Sequence, residues 1–424
     1  PRFSGSFSSA IGFHTSQLLW DHTFSPSLSH RAIFSVGRNQ INFGGGEVFG
    51  IDLAFWQITG RYELTWQFLR RARLNAGLDL LGGPATITFN GIRPPTEGQP
   101  FDPANTARVA TNATDTVYRP GAYAELELTP TSRLRLVPSV RVDYTRDADR
   151  TWTVAPRFSF RWEFLRSWFL KGGLGVFNQP PQNNQTSAAV NTFQPSTTVG
   201  NPFLIPQRSI HYGLGFEHDF SRYITLSVEG FYKTLDEQVV SQAGIRGVPY
   251  LNAGGGRIYG AEILFRHRPS ERFFGWLAYT ISRSERSDSP TSDYRIFQFD
   301  QTHILTLIGS YRLGRGWEIG ARFRLVSGNP TTPIVGSVLN GDTGTYTPIQ
   351  GQPFSERVDP FHQLDVRIDK TWTFRRGSIN LYLEVLNVYN RSNPEGRQYN
   401  FNYTQSQTVS GIPIFPNLGV RAEY

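Results

Sequence analysis

The segment 363–374 reads Gln-Leu-Asp-Val-Arg-Ile-Asp-Lys-Thr-Trp-Thr-Phe. Its even-numbered positions are apolar except for Lys370, and its odd-numbered positions are polar or charged. Because successive residues of a β-strand point to opposite faces, this pattern predicts a strand with one mainly apolar face and one charged face.

The connections on either side of this segment differ in length. The next alternating segment, 378–390, follows after only Arg375, Arg376 and Gly377, a hairpin turn. The preceding one is separated by a long polar loop, 329–360. A sheet with one apolar face, short turns at one end and long loops at the other is typical of a transmembrane β-barrel.

The same rhythm runs through the whole chain. Short turns and long loops alternate, with 146–150 as the one intermediate connection. We therefore predict an all-β fold, a transmembrane antiparallel β-barrel of about 17–18 strands in the bacterial outer membrane. The predicted strands are 15–24, 29–41, 51–67, 72–86, 117–129, 133–146, 151–164, 168–178, 208–219, 223–235, 257–268, 273–285, 298–312, 317–328, 361–373, 378–390 and 413–424.

The parity of this count is informative. Bacterial barrels have an even number of strands and both chain ends on the periplasmic side. The listed strands give an odd number, so residues 1–13 hide a further strand or the chain is truncated. We favour truncation.

The composition excludes several kinds of chemistry. Cys is absent, so disulfides, thiolate zinc sites and cysteine nucleophiles are excluded. The eight His residues are scattered and form no His-Glu-x-x-His motif. We predict no catalytic residue, no metal site, no cofactor and no enzymatic activity. For Asp300-Gln301-Thr302-His303, at a strand's outer end, we favour a hydrogen-bond network in the wall over contact with a ligand.

The net charge of +8 raises the question of a nucleic-acid partner. The arginines do not gather into one stripe, and many lie at short turns, for example Arg222, Arg315 and Arg375. This placement favours anchoring beside lipid headgroups. We therefore expect outer-membrane lipid as a partner and no nucleic acid.

Charged residues occupy the second face of three neighbouring predicted strands. A charge that faced lipid there would be very costly, so this face must line the lumen or contact a plug. The predicted lumen-facing set is Arg322, Arg324, Asp365, Arg367, Asp369 and Glu384.

The long loops 178–207 and 329–360 are polar and rich in Thr, Asn, Gln and Pro. Loops longer than about 15 residues are usually functional or disordered. In a barrel transporter they would form a ligand vestibule, where aromatic rings stack on sugars or siderophore rings, although packing within a loop is the commoner role for any single ring. The candidate vestibule residues are Phe193 and Phe203, Tyr250 in the further long loop 236–256, and Tyr346 and Phe354.

Between about residues 118 and 424 the chain resembles the TonB-dependent outer-membrane receptors, particularly the divergent ones of myxobacteria-like organisms. Each motif is weak alone, but their order is fairly specific. The stretches that carry the resemblance are 137–144 (VPSVRVDY) with 155–158 (APRF), 173–177 (GLGVF) with 179–181 (QPP) and 200–204 (GNPFL), Asn252 with 254–257 (GGGR) and 259–262 (YGAE), and 386–390 (LNVYN) with 419–424 (GVRAEY).

The resemblance implies a 22-stranded barrel closed by an N-terminal plug domain. Its members import scarce nutrients such as a siderophore, a vitamin or a carbohydrate, and a TonB protein with its inner-membrane motor pulls on a box ahead of the plug. Neither plug nor box is visible in the sequence, so we expect residues 1–424 to be barrel only, with the plug and about five strands before Pro1. The lumen-facing charges are then expected to hold the plug and not to select the ligand.

Three other interpretations remain open. A passive porin of 16–18 strands would need residues 1–13 to form a strand. An export or assembly barrel would carry periplasmic modules instead of a plug. A soluble all-β hydrolase would gather carboxylates at one end of a sheet, whereas here they are spread along many strands.

Overall fold

The computed structural model describes residues 7–45, 49–92, 108–146, 149, 151–182, 190–191, 194–198, 201, 203–241, 250–342 and 344–424. Within these residues every regular element is a β-strand. None of the described segments forms a helix that is long and apolar enough to cross a membrane.

Eighteen strands form one antiparallel sheet, and one of them, β15, has only two residues. These strands are β1 (Phe7–Ser25), β2 (Leu28–Gly45), β3 (Phe49–Leu69), β4 (Ala72–Ile92), β5 (Arg108–Thr131), β6 (Leu134–Tyr144), β7 (Trp152–Leu165), β8 (Trp168–Gln179), β11 (Gln207–Asp219), β12 (Ile224–Ser241), β13 (Tyr250–His267), β14 (Phe273–Ser287), β15 (Arg295–Ile296), β16 (His303–Gly314), β17 (Trp317–Val326), β22 (Phe361–Phe374), β23 (Gly377–Leu386) and β26 (Phe415–Glu423).

The remaining strands form small pairs in the long connections. They are β9 (Val190–Asn191) with β10 (Gln194–Thr198), β18 (Pro330–Thr331) with β21 (Glu356–Arg357), β19 (Ile334–Asn340) with β20 (Thr345–Gln350), and β24 (Pro394–Tyr399) with β25 (Ser406–Ser410).

Each long strand pairs with the long strands before and after it in the chain, the up-and-down order expected of an outer-membrane barrel wall. In the described residues β1 pairs only with β2, and β26 pairs only with β23. The sheet therefore has two free edges in this part of the chain.

The sequence-based prediction of the fold is confirmed, since every predicted strand corresponds to one long strand of the sheet. The boundaries differ most on the side of the long loops. The predicted loop 87–116 is partly strand, because β4 runs to Ile92 and pairs with β5 from Arg108 onward. The predicted strand 378–390 instead ends at Leu386.

The two faces of the sheet differ in chemistry, as β17 and β22 illustrate. Phe323 lies opposite Leu364 and Ala321 opposite Val366, whereas Arg322 lies opposite Asp365 on the other face. Large apolar side chains of the first face remain exposed, for example Ile368 at 39 %. An exposed apolar surface of this extent marks an interaction surface, and on a barrel wall that surface contacts lipid.

Near the short turns, the apolar face ends in aromatic rings. Trp317 and Trp372 flank Lys370, whose ammonium lies 5.2 Å and 5.6 Å from the two ring centroids. The ammonium also donates a hydrogen bond to the carbonyl of Arg315 in the turn. Aromatic rings with a basic group between them are the expected boundary of the apolar band of a membrane barrel.

Candidate functional site: the lumen wall and its outer mouth

Ion pairs between different strands line the polar face of the sheet. Pairs such as Arg322–Asp365 join hydrogen-bonded neighbours, because antiparallel strands place the two residues side by side. Pairs such as Lys171–Glu229 reach across one intervening strand. The pairs include Arg73–Glu127, Arg141–Asp79, Arg161–Glu217, Lys171–Glu229, Arg257–Glu285 and Arg322–Asp365.

The structure places all six predicted lumen-facing residues on this polar face. Arg367 binds the carboxylate of Asp369 through Nε and Nη2, each at 2.8 Å. Glu384 lies opposite Arg367 across the next strand pair, and the guanidinium of Arg367 packs on the ring of Tyr382 at 3.8 Å.

Asp365 is the most enclosed of the six, with 5 % of its surface exposed. Its Oδ2 accepts hydrogen bonds from Nε and Nη2 of Arg322 at 2.9 Å and 2.6 Å. Its Oδ1 accepts from Gln363 Nε2 at 2.6 Å and from the backbone N–H of Asn387 at 3.0 Å. The carboxylate is therefore fully hydrogen-bonded, as a buried charge must be.

Arg324 differs from the other five. It is exposed, as Arg322 is, but its guanidinium lies 5.5 Å from the ring centroid of Phe361 and within the described residues no carboxylate pairs with it. It lies further along β17 toward the long loops than Arg322, opposite Gln363.

Arg324 lines a cavity of about 460 Å³ at the outer end of β17 and β22. Loop residues around 327–331 and 358–361 and the start of β24 complete the lining, with Gln301 and Asn329 among the polar groups and Asp359, Glu395 and Arg397 among the charged ones. Arg397 also binds Glu356 at 3.0 Å, and this hydrogen bond raises the pKa of its guanidinium. The cavity thus offers charges of both signs and several hydrogen-bonding groups.

Asp300, which is 1 % exposed, forms the hydrogen-bond network expected of its motif. Its Oδ1 accepts from the N–H of Ser284 at 2.6 Å, and its Oδ2 binds Nη2 of Arg357 and the hydroxyl of Thr302. Arg357 also donates from Nη1 to the carbonyls of Asp300 and Gly328 at 2.7 Å and 3.0 Å. This cluster fastens two long connections to the wall beside the cavity.

Two of the five vestibule candidates are brought near each other. Asn201, which is 5 % exposed, donates to the carbonyl of Tyr250 at 2.9 Å and accepts from the N–H of Phe203 at 2.9 Å. Asn252 fixes the same segment by pairing with the N–H and the carbonyl of Ile205, both at 2.9 Å. The Phe203 side chain stays 73 % exposed and is therefore free for contact.

The other three candidates do not join them in one aromatic cluster. Tyr346 packs edge-on against Phe401 at 5.9 Å, where the β19–β20 hairpin meets the β24–β25 hairpin. Phe354 is only 5 % exposed and lies beneath the guanidinium of Arg295, so it is a packing residue of its loop. Phe193 lies outside the described residues.

The sequence did not indicate which polar side chains hold the loops against the wall. These side chains are Asn201, Asn252, Arg357 and Asn387. Three of them are asparagines that cap loop backbone, and Asn387 adopts a left-handed φ of 52° that asparagine tolerates better than most residues. Asn-rich loops signal such turns, but they do not show which partner each amide takes. In the described part of the chain no three His, Asp or Glu side chains gather in a way that could hold a metal ion.

Comparison with known protein families shows to which family the chain belongs. The family model described as "TonB dependent receptor-like, beta-barrel" matches residues 2–388. The chain belongs to this family. The TonB-dependent receptors are bacterial outer-membrane proteins, which places the apolar face of the sheet in the lipid of that membrane.

Solved structures of the family share the fold. The chain is similar to the ferric-catecholate import receptor Fiu of E. coli K12, with a TM-score of 0.67, 14 % identity and coverage of 99 % of this chain and 64 % of that one. It is also similar to the ferric yersiniabactin uptake receptor FyuA of Yersinia pestis, with a TM-score of 0.69, 13 % identity and coverage of 99 % of this chain and 62 % of that one. The FrpB iron transporter of Neisseria meningitidis is similar too, with a TM-score of 0.65, 14 % identity and coverage of 97 % of this chain and 62 % of that one.

The chain thus spans less than two thirds of the length of these TonB-dependent receptors. No curated protein matches its sequence significantly. The family consists of receptors and transporters and not of enzymes.

Proposed function

We propose that this protein forms the barrel wall of a TonB-dependent transporter that imports a scarce nutrient across the outer membrane. The observation that carries the proposal is the family match over residues 2–388, on a chain whose lumen face is lined with ion pairs. Ferric chelates are the first candidates for the cargo, because Fiu, FyuA and FrpB are named for iron uptake. A vitamin or a carbohydrate is the next.

We assign two roles to the predicted lumen-facing charges. Arg322, Asp365, Arg367, Asp369 and Glu384 form or border ion pairs along the wall and would meet a plug domain through salt bridges and water. The ion pairs within the wall keep these charges compensated at the surface where a plug would rest. The proposed protein partners are therefore the protein's own plug and, through it, TonB with its inner-membrane motor.

Arg324 receives the second role. Its exposed guanidinium, its position over Phe361 and the cavity of about 460 Å³ beside it support contact with cargo. Arginine binds carboxylate and phenolate oxygens through charge-assisted hydrogen bonds, and siderophores carry such groups. This assignment departs from the expectation that all six charges serve the plug.

Uptake assays with the full-length protein test the proposed cargo class. A host that lacks its own siderophore receptors would receive radioactive iron as a catecholate, a hydroxamate or a phenolate chelate, with labelled cobalamin and maltodextrin as further probes. We expect saturable uptake of one probe above the empty-vector level. Non-saturable passage of all small probes would contradict the proposal and favour a porin.

A further inference from the structure

The lipid-facing side of the wall carries a groove of about 430 Å³. It extends over β13, β14, β16, β17 and the edge of β22, and almost all of its lining is apolar. The side chains that border it include Phe265, Leu277, Leu307, Phe323 and Leu364. It lies on the face opposite the ion pairs, because Phe323 and Leu364 alternate with Arg322 and Asp365.

The strand register explains why a groove exists here. Gly275 lies opposite Gly309, and Gly309 lies opposite Ala321, so three small residues form one row across neighbouring strands. The next row toward the long loops is large: Leu277 lies opposite Leu307, and Leu307 opposite Phe323. The small row is the floor of the groove and the large row is its wall.

An aromatic cluster closes the groove at the side of β13. The Phe273 ring lies over Gly275, since a Cβ atom added at that glycine would be 3.0 Å from Phe273 Cζ. His267 meets Phe273 edge-on at 5.0 Å and stacks on Tyr223 at 5.8 Å. The guanidinium of Arg222 lies 4.5 Å from the Tyr223 ring centroid, so a cation lies beyond this end of the groove, with the Tyr223 ring between it and His267.

The groove lies near the short turns. Phe273 is the first residue of β14, so Gly275 is only about 7 Å from the strand end at the usual rise per residue. Ala321 is likewise in the first half of β17 (Trp317–Val326). Since short turns face the periplasm in these barrels, the groove faces the inner leaflet of the outer membrane.

We propose that this groove binds one acyl chain of an anionic glycerophospholipid of the inner leaflet, with its phosphate near Arg222. Two observations select this occupant. The groove is continuous with the lipid-facing surface, where acyl chains already surround the wall, and a basic group stands at its periplasmic end. The proposal rests on the outer-membrane location alone and is independent of the cargo.

A pair of matched variants of the full-length protein tests the acyl-chain site. Ala321→Leu places a larger side chain on the exposed floor of the groove. Ala261→Leu makes the same change on the lipid face beside Gly230, away from the lining. Native mass spectrometry after exchange into detergent with phosphatidylglycerol would count the retained lipids.

We expect the wild type and Ala261→Leu to retain one phosphatidylglycerol, and Ala321→Leu to lose about tenfold in apparent affinity. Heat-modifiable migration would show that both variants are folded. Equal retention by Ala321→Leu and the wild type would overturn the proposal, as would retention of lipopolysaccharide in place of phospholipid.

Arg222→Gln tests the headgroup separately. We expect the preference for phosphatidylglycerol over the net-neutral phosphatidylcholine to fall several-fold, about the effect of one exposed charge near a lipid phosphate. Binding of phosphatidylcholine should weaken less, because its choline cation already offsets the charge of its phosphate. An unaltered preference would overturn the assignment of the phosphate to this end of the groove.

Discussion

The carboxylate of Asp365 accepts a hydrogen bond from the backbone N–H of Asn387 at 3.0 Å, and the two residues are 5 % and 1 % exposed. The Asn387 side chain in turn donates to the carbonyls of Arg391 and Ile412, at 2.8 Å and 3.2 Å. Asp365 therefore connects the lumen wall to both ends of the connection that carries the β24–β25 hairpin.

Asp365→Ala should destabilise the attachment of the β24–β25 connection to the wall. The change leaves the buried N–H of Asn387 without an acceptor and Arg322 without its carboxylate, a loss of about 1–3 kcal/mol. Asp369→Ala is the control, because its partner Arg367 is 39 % exposed and water can replace the pair at a cost of about 1 kcal/mol or less. Urea unfolding in lipid vesicles measures the free energy of unfolding of both variants. Equal losses in the two variants would contradict this account of Asp365.

A second prediction concerns the faces of the wall. Val366→Arg places a charge on the lipid face and should cost about 2–4 kcal/mol if the position is near the bilayer midplane. Thr371→Arg places the same side chain on the lumen face, where it replaces only the hydrogen bond from Asn380 at 2.9 Å, so it should cost little. Similar folding efficiencies of the two variants would mean that the faces are assigned wrongly.

The sequence predicted which residues share the apolar face and which share the polar face, because the alternation of apolar and polar residues is a local pattern. The alternating segment around Val366 predicted β22 to within one residue, from 361–373 against Phe361–Phe374. The sequence did not predict the end of β23, because Asn387 leaves the strand and forms hydrogen bonds with residues up to 25 positions away. The extension of β4 to Ile92 likewise depends on pairing with β5, which overrides local propensity.

The same reasoning applies to the site. The sequence predicted that the charges of β17 and β22 share one polar face, but it did not predict their partners, and only the partners separate Arg324 from Arg322. Composition suggested that Phe354 could contact a ligand, whereas its burial beneath Arg295 results from a loop fold that no local pattern encodes.

Arg324→Ala should weaken cargo binding. Loss of a charge-assisted hydrogen bond is worth about 1.5–3 kcal/mol, which corresponds to roughly tenfold or more in the dissociation constant. The full-length protein would be titrated with the ferric chelate identified by the uptake assay. Arg367→Ala, on the proposed plug-facing set, is the matched control and should bind normally. If both variants bound with wild-type affinity, Arg324 would return to the plug-facing set.

Asp369→Ala should leave cargo affinity intact and increase leak through the barrel. The substitution frees Arg367, which then loses its fixed position on the lumen wall where a plug would rest. Sensitivity of cells to a large antibiotic that the intact outer membrane excludes reports the leak. Lost cargo binding without any change in leak would assign Asp369 to recognition instead.

Dependence of uptake on TonB is the most direct test of the central claim. Cells that produce the full-length protein would be compared with and without a functional TonB, using the ferric chelate for which saturable uptake is found. We expect the chelate to bind to both cell types at the surface and to enter only those with TonB. Equal entry in both would contradict the account, because a barrel that passes its cargo without TonB is a passive channel.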